Sequence, residues 1–429
     1  MRIGHRPIYG SNAMNNTKQN HPLHFTIWTA ALCLMTAAVP RTFSAAPDRV
    51  TNVRITPRTA GTATLTFDIA WKESWRHEGN HDALWVFFKV RPEGAEEWLH
   101  LRLAADKPLN PKGYGQGGGT RVDLIVPDGD DGYQGLLIRR AEFGLGEVAA
   151  KDVTVIWNVS ATKGVPQNLA VQIRPFAIDM IFVPEGAFEL GSGGNEPGHF
   201  YEHTDGSQHT KPFRVKSADP IPTGQQAGKL WARRMNEPEN NGNLPAAFPN
   251  GYRAFYCMKG HAMSEWESFV KALPPTDAKI FEAVVNKHGG LSWEDGITFA
   301  AWAGLRPVTE LEFEKITRGP MTSGWEFGDS LNHPSFWGVR SINGWRSPRD
   351  QVVTVANPAG RAFRGTHGMG TLVPPADWPG ASGDGAGIRG GHGAASNPGY
   401  RLDAGSVETG REPGIGWRGA RTAPKGVGL

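Results

Sequence analysis

Hydrophobic and polar positions alternate with a period of two from about Val50 to Arg174. One face of the segment TATLTFDIAW carries Leu65, Phe67, Ile69 and Trp71, and one face of DVTVIWNV carries Val153, Val155, Trp157 and Val159. Turn-forming runs such as NPKGYGQGGGT and PDGDDGYQG separate the predicted strands. This spacing predicts an antiparallel β-sandwich, which we assign to residues 47–178. No catalytic constellation occurs in it, so we expect a spacer or an interaction module.

Helix signals replace the alternation beyond about Met180. Ser264 with Glu267 three residues later predicts a capping box, and the helix that follows would bury Trp266, Phe269 and Val270. A second helix is predicted over Trp293–Ala303, and Thr309 is the predicted N-cap of a third. The acids Glu310, Glu312 and Glu314 near the start of that helix have a sufficient structural role there. The polar, Pro- and Asn-rich stretch Gly206–Pro249 is predicted to be loop.

The first 46 residues have the features of a secretory signal. Lys18 precedes the apolar run Phe25–Val39, and the small residues Ser44-Ala45-Ala46 follow it. The run is shorter than a membrane span requires, so no span is expected in the mature chain. We expect an exported protein that begins near Ala46 to Asp48 and is secreted, periplasmic or on the cell surface. A buried helix or a retained anchor is the alternative.

The amino-acid composition further narrows the class of protein. The chain has 429 residues, with 55 Gly, 32 Pro and 15 Trp, which favours a loop-rich protein, and its net charge of +3 comes without a basic run, which argues against nucleic-acid binding. Without the leader, and hence without Cys33, a single cysteine remains, Cys257 in the apolar run AFYCMK, so we expect a buried thiol and no internal disulfide. His77, His81 and Asp82 could ligate a metal, but their loose spacing favours a solvated loop.

One segment resembles a known family. Leu291–Pro320 reads LSWEDGITFAAWAGLRPVTELEFEKITRGP, and it is similar to the core motif of the sulfatase-modifying-factor family, the formylglycine-generating enzymes. The matching positions are Trp293, Asp295, Trp302, Gly304, Arg306, Pro307, Thr309, Glu310, Glu312, Phe313 and Glu314. MIFVPEGAFELGS resembles the opening strand pair of the same family. The resemblance implies a loop-rich, C-type-lectin-like domain over residues 179–424, and the fold class as a whole becomes α+β.

The resemblance also implies where the chemistry would lie. The family binds Cu(I) through two cysteines in a segment that opens with Arg-Gly-Gly and is followed by a Gly-Phe-Arg element. Here Arg389, Gly390 and Gly391 open the segment, and Arg418 is the arginine of the second element; we call these four residues the frame. Ala395 and Tyr400 occupy the two cysteine positions. A methyl group and a phenol cannot replace soft thiolates on Cu(I). Standard formylglycine generation is therefore excluded on chemical grounds.

Other metals find little support in the residues. The family's calcium motif corresponds to a stretch that retains Asn343 but has Arg346 and Pro348 where acids are wanted. A His/His/Asp site would have to come from His367, His392, Asp377 and Asp384, which lie in glycine-rich stretches whose spacing constrains no geometry. We therefore expect no cofactor.

The favoured hypothesis is a secreted, non-catalytic member of the family that binds an unknown protein or glycan ligand through its C-terminal loops. The predicted binding face comprises His392, Asn397, Tyr400, Arg401, Asp403, Glu408 and Arg411, since tyrosine and arginine anchor many binding surfaces. The alternative is a metal-dependent oxidoreductase with non-cysteine ligands, or a hydrolase that uses His392 and Asp384. A tight stoichiometric metal would favour the alternative, and ligand binding without turnover would favour the first hypothesis.

Overall fold

The structure is a computed structural model that describes a defined part of the chain. It covers residues 49–59, 61–127, 133–166, 170–194, 198–206, 209–232, 242–285, 290–320, 334–342, 349–390, 401–403 and 411–428, and only the backbone is described for 58–59, 283–285 and 401–403. The predicted signal region lies outside these residues. From Ser44 to Leu429 the chain belongs to one compact unit.

Strands dominate the described residues. In the first half they are β1 (Val50–Thr59), β2 (Thr62–Arg76), β3 (Asp82–Pro92), β4 (Leu99–His100), β5 (Gly118–Gly119), β6 (Val122–Ile125), β7 (Leu136–Arg140), β8 (Gly144–Asn158), β9 (Val171–Val183) and β10 (Phe188–Leu190). Then follow β11 (Phe200–Glu202), β12 (Phe213–Val215), β13 (Ile221–Thr223), β14 (Leu230–Ala232), β15 (Gly242–Leu244), β16 (Phe255–Met258), β17 (Arg306–Pro307), β18 (Arg349–Val353), β19 (Ala386–Arg389), β20 (Arg401–Asp403), β21 (Ile415–Trp417) and β22 (Gly419–Thr422).

The helices are short and lie mainly in the middle of the chain. They are α1 (Trp266–Val270), α2 (Pro275–Val285), α3 (Trp293–Ala303), α4 (Glu310–Arg318) and α5 (Pro358–Arg361). The bounds of α3 agree with the sequence prediction, and Thr309 caps α4 in a capping box with Glu312, as predicted. None of the helices in the described ranges is long and apolar enough to cross a membrane. The architecture is α+β, rich in antiparallel sheet.

Within the described ranges, two sheets enclose the core of the first half of the chain. The central sheet has the order β17-β22-β16-β9-β3-β7-β6, with β4 paired to β3, and the front sheet has the order β1-β2-β8-β5. The predicted alternation is confirmed, because Leu65, Phe67 and Ile69 point into a core between β2 and β3. We call this the front core. The helix core lies on the opposite face of the central sheet and includes the apolar side of α3.

Strand β3 is buried on both faces. Leu84, Val86, Phe88 and Val90 belong to the front core, and Ala83, Trp85 and Phe87 belong to the helix core. The continuous apolar run ALWVFFKV reflects this two-sided burial, since a strand with one wet face would alternate with polar residues. The strand is the layer that both cores share.

Residue 178, where the sequence places a domain boundary, lies inside β9. This strand pairs with β3 on one side and with β16 on the other, so the central sheet continues across the position. The reason is that Ile178, Met180 and Phe182 continue the alternation of β9 and pack into the helix core. Whether the segments before and after residue 178 fold independently stays a prediction.

Three local predictions are wrong. The stretch predicted as loop, Gly206–Pro249, contains β12 to β15, whose three-residue length leaves almost no periodic signal. Ser264 does not cap α1; Glu265 occupies the N-cap position without a side-chain cap, and the Ser264 hydroxyl donates to the carbonyl of His261 instead. His81 and Asp82 are buried rather than solvated, because Asp82 already begins β3.

Candidate functional site

The acids of the family-like motif are fully engaged in the structure. Glu312 accepts two hydrogen bonds from Arg306, at 2.6 and 2.8 Å, and a third from the backbone N–H of Thr309. Glu310 accepts from the hydroxyl of Thr354 at 2.8 Å and from the N–H of Val355 at 2.9 Å. These carboxylates hold α4 to its neighbours, so they do not provide a general acid.

Arg389, the first residue of the predicted frame, ends β19 and is fully buried. Its guanidinium forms an ion pair with Glu314, which also pairs with Arg318 on the same helix. The ring of Phe200 lies 5.3 Å from the guanidinium carbon. Gly390 follows with a φ of 112°, which a residue with a side chain rarely adopts. A buried cation and a glycine with a positive φ therefore mark the end of β19.

Arg418, the other frame residue, is the centre of a second buried network. Its Nε lies 2.8 Å from Oδ1 of Asp350, and its Nη2 lies 2.9 Å from Nε2 of His261. Burial alone would raise the pKa of Asp350, but Arg418 and His261 outweigh that effect and hold the pKa below its usual value. This network ties β18, the segment after β16 and the junction of β21 with β22 together.

Arg411 anchors the C-terminal end of the predicted binding face. Its Nη2 and Nε contact the two carboxylate oxygens of Asp295 at 2.7 and 2.8 Å. Asp295 also accepts from the N–H of Ser292, which is the N-cap of α3. The arginine side chain stays 32% exposed, so its outer edge is open to solvent while its charge is neutralised. One of the predicted ligand-binding residues therefore has a structural partner.

The remaining predicted residues fall into two groups. Arg401 and Asp403 lie on β20, whose backbone pairs with β19 so that Arg401 is opposite Arg389. The others lie outside the described residues: Gly391, His392, Ala395, Asn397, Tyr400 and Glu408, and the calcium-motif positions Asn343, Arg346 and Pro348. The structure thus brings Arg389, Gly390 and Arg401 together at one end of the hairpin, with Arg411 held on α3.

The candidate metal ligands have other partners. His367 is buried and its Nε2 accepts from the backbone N–H of Thr422 at 3.0 Å, and burial keeps its pKa well below the usual range. Asp377 accepts from the N–H of Arg364 at 2.9 Å. His81 contacts the hydroxyl of Tyr256 at 3.1 Å. In the described part of the chain, no group of three or more His, Cys, Asp or Glu could hold a metal ion.

No sequence motif predicts the charged cleft that the structure forms beside the front sheet. It has a volume of about 630 Å³ and opens between β2, β9 and the turn before α1. Its charged lining consists of Arg49, Lys72, Glu73, Glu147, Asp179, Lys259, Glu265 and Arg340. These residues come from separate segments of the chain, so no motif or spacing could have grouped them.

The chain was compared with family models, with curated proteins and with solved structures, and none of them matches it.

Proposed function

We propose that the protein is a secreted, non-catalytic relative of the formylglycine-generating enzymes that binds a protein or glycan ligand through residues 392–411. The observation that carries this proposal is the anchoring of both ends of that segment. Arg389 and Glu314 hold its start, and Arg411 and Asp295 hold its end. Both anchoring acids lie in the stretch that resembles the family motif. A segment fixed at both ends on a rigid scaffold suits recognition.

The arrangement of the cores supports the finer fold proposal. The front sheet and one part of the central sheet share the front core, as two packed layers of a β-sandwich would. The helices α3 and α4 pack behind the central sheet and carry the motif, as a C-type-lectin-like domain of this family would require. In this proposal the sandwich is a spacer or interaction module for the binding domain.

The state of Cys257 supports a loss of copper chemistry. Its side chain is fully buried in β16, and burial raises the pKa of its thiol to about 12. The only other cysteine in the sequence is Cys33, in the predicted signal region. A pair of accessible thiolates, which Cu(I) would need, therefore cannot be assembled from the mature chain that we propose.

A binding experiment tests the proposal directly. The purified mature chain is applied to a glycan array and used in a pull-down, and the affinity of the captured ligand is measured for the wild type and for Tyr400→Ala. We expect about a 30-fold loss, equivalent to about 2 kcal/mol, with an unchanged melting temperature. Phe143→Ala, at an exposed aromatic residue that is 60% accessible in the turn after β7, is the matched control. If Tyr400→Ala unfolds the domain, or if its affinity equals that of the control, the proposed face is wrong.

The absence of formylglycine chemistry has its own assay. The mature chain is incubated with copper and a peptide that carries the Cys-x-Pro-x-Arg motif of sulfatases, and the products are analysed by mass spectrometry. We expect no aldehyde, and catalytic conversion would contradict the proposal. Tight stoichiometric copper or iron, lost in His392→Ala, would instead support the oxidoreductase alternative.

Export is tested by amino-terminal sequencing of protein from the native host. We expect the mature chain to begin near Ala46 to Asp48. An intact Met1 or Met14 would contradict processing by this signal.

A further inference from the structure

The charged cleft is bounded by a distorted part of the front sheet. The pairing of β2 with β8 shifts register between Trp71 and Ser74, and Glu73 has a φ of 55° within this irregularity. A residue with a side chain enters this conformation only at a cost, and such strain occurs most often near functional sites. The irregularity brings Lys72 and Glu73 to the rim of the cleft, opposite the segment that follows β16.

Two of the ion pairs in the cleft are complete. Arg49 Nη2 lies 2.7 Å from Asp179 Oδ2, and Arg340 Nη2 lies 2.7 Å from Glu73 Oε2. These pairs neutralise two of the acids and leave little for a ligand to satisfy at those positions. Lys259 and Glu265, which also line the cleft, form no ion pair with a described residue.

Two groups that line the cleft, Lys259 and Glu265, keep unused hydrogen-bonding capacity. Lys259 is only 8% exposed, yet its ammonium makes no ion pair with any described residue. Glu265 Oε1 lies 3.3 Å from the hydroxyl of Ser264, whose single hydrogen is donated to the carbonyl of His261. A mostly buried ammonium without a counter-ion at the wall of a cavity is a position where an anionic partner would be stabilising.

We propose that this cleft binds a small molecule through its carboxylate, held by Lys259, with Glu265 in contact with the same ligand. A monoanion fits better than a dianion, because Glu73, Glu147 and Asp179 also line the cleft and would repel a second charge. The apolar residues Ala70, Trp71, Ile178 and Met258 supply surface for the body of the ligand. This site is independent of the face proposed at residues 392–411.

Glu265 makes the binding dependent on pH. Burial raises the pKa of its carboxyl to about 7, the charge of Asp179 adds to the effect, and Arg49 opposes it. A bound carboxylate would raise this pKa further, so binding takes up a proton and strengthens as the pH falls from 8 to 6. The charged groups that line the two clefts adjoining Glu265 are Arg49, Lys72, Glu73, Glu147, Arg174, Asp179, Lys259, Lys271 and Arg340.

The ligand's carboxylate could belong to a sugar acid or to an acylated amino acid, and calorimetry distinguishes the two. The full mature chain is titrated with D-glucuronate and with N-acetylglycine, and with methyl glucoside as the neutral control and sulfate as the generic anion. We expect one of the carboxylates to bind more tightly than sulfate, with about tenfold higher affinity at pH 6 than at pH 8, and methyl glucoside not to bind. If neither carboxylate binds, or if sulfate binds equally well, the proposal is wrong.

Substitutions assign the binding to named residues. Lys259→Met keeps the buried stem and should lower the affinity at least tenfold, whereas Lys259→Arg should retain most of it. Lys163→Met, at an exposed lysine outside the cleft, is the matched control and should have no effect. Glu265→Gln should preserve binding while removing its pH dependence, which keeps the test decisive if Lys259→Met does not fold. Unchanged affinity in Lys259→Met, or unchanged pH dependence in Glu265→Gln, would overturn the proposal. Tyr400→Ala should leave carboxylate binding intact, so this test and that of the C-terminal face fail separately.

Discussion

Two charged regions of this molecule differ in how their charges are satisfied. In the family-like motif and the frame, Arg306, Arg389 and Arg418 are buried and each faces a carboxylate. In the cleft beside the front sheet, the mostly buried Lys259 forms no ion pair with any described residue. A buried charge with its counter-ion serves the fold, because removing either partner is costly. A charge that is left half-satisfied at the wall of a cavity is available to a ligand.

The largest effect is expected in the frame. Asp350→Ala would leave Arg418 buried against His261 with no carboxylate, and it should lower the free energy of unfolding by about 3–5 kcal/mol. Urea unfolding followed by tryptophan fluorescence measures this change. Glu267→Ala, which removes the exposed pair with Lys271, should cost less than about 1 kcal/mol. Equal losses in the two variants would remove the distinction between the regions.

In the cleft, removing the carboxylate of Glu265 should raise the free energy of unfolding at pH 8 instead of lowering it. The folded state keeps the Glu265 proton up to about pH 7, whereas the unfolded state loses it near pH 4.5, so Glu265 makes stability fall as the pH rises through this window. Glu265→Gln removes this loss. The variant should gain about 1–3 kcal/mol over the wild type at pH 8 relative to pH 4.

Urea unfolding of both proteins at the two pH values measures the gain. The exposed Glu267→Gln is the control, and its effect should stay below about 1 kcal/mol at either pH. A Glu265→Gln variant that is less stable than the wild type at pH 8 would contradict the idea that the charged Glu265 destabilises the fold.

A smaller effect separates a real helix cap from an apparent one. Thr309→Ala removes the hydroxyl that accepts from Glu312 N–H, and it should cost about 1–2 kcal/mol. Ser264→Ala, at the position where the sequence alone suggests a capping box, should cost less than about 0.5 kcal/mol because no cap exists there. Thermal or urea unfolding of both variants measures the difference. A larger loss in Ser264→Ala would mean that the turn before the cleft contributes more to the fold than its contacts indicate.

The smallest expected effect is an absence of reaction. Cys257 should not react with iodoacetamide in the folded chain at pH 8, because its thiol is buried and has a pKa of about 12. Peptide mass spectrometry before and after unfolding in urea distinguishes Cys257 from Cys33. Rapid labelling of the native protein would reopen the question of thiol chemistry.

Local signals in the sequence predicted local structure well. Helix α3 begins and ends where its pattern does, and the period of β2 and β8 correctly separated buried from exposed side chains. Strands of three residues such as β12 to β15 escaped notice, because so few positions carry no measurable period. The apparent cap at Ser264 shows the opposite error, since the spacing of Ser264 and Glu267 fits a capping box but no side-chain cap forms.

Sites depend on contacts over long distances, and the sequence predicted them less well. The motif identified Arg389 and Arg418 as important, but their partners Glu314 and Asp350 lie 75 and 68 residues away. Only the fold shows that each of these arginines is buried and connects two elements through an ion pair. The cleft had no signal at all, because β2, β9 and the segment after β16 each contribute only one or two of its charged residues.

The two-sided burial of β3 also constrains how this protein can evolve. Inserting one residue before Ala83 would turn every following side chain to the opposite face, exchange the two apolar sets and move Lys89 away from the carbonyls of Trp302 and Gly370. Replacing one residue of β3 by another of similar size changes only the contacts of that side chain. Over long descent, the composition of this strand is free to drift while its length is not, and insertions should accumulate instead in exposed turns such as the one between β7 and β8.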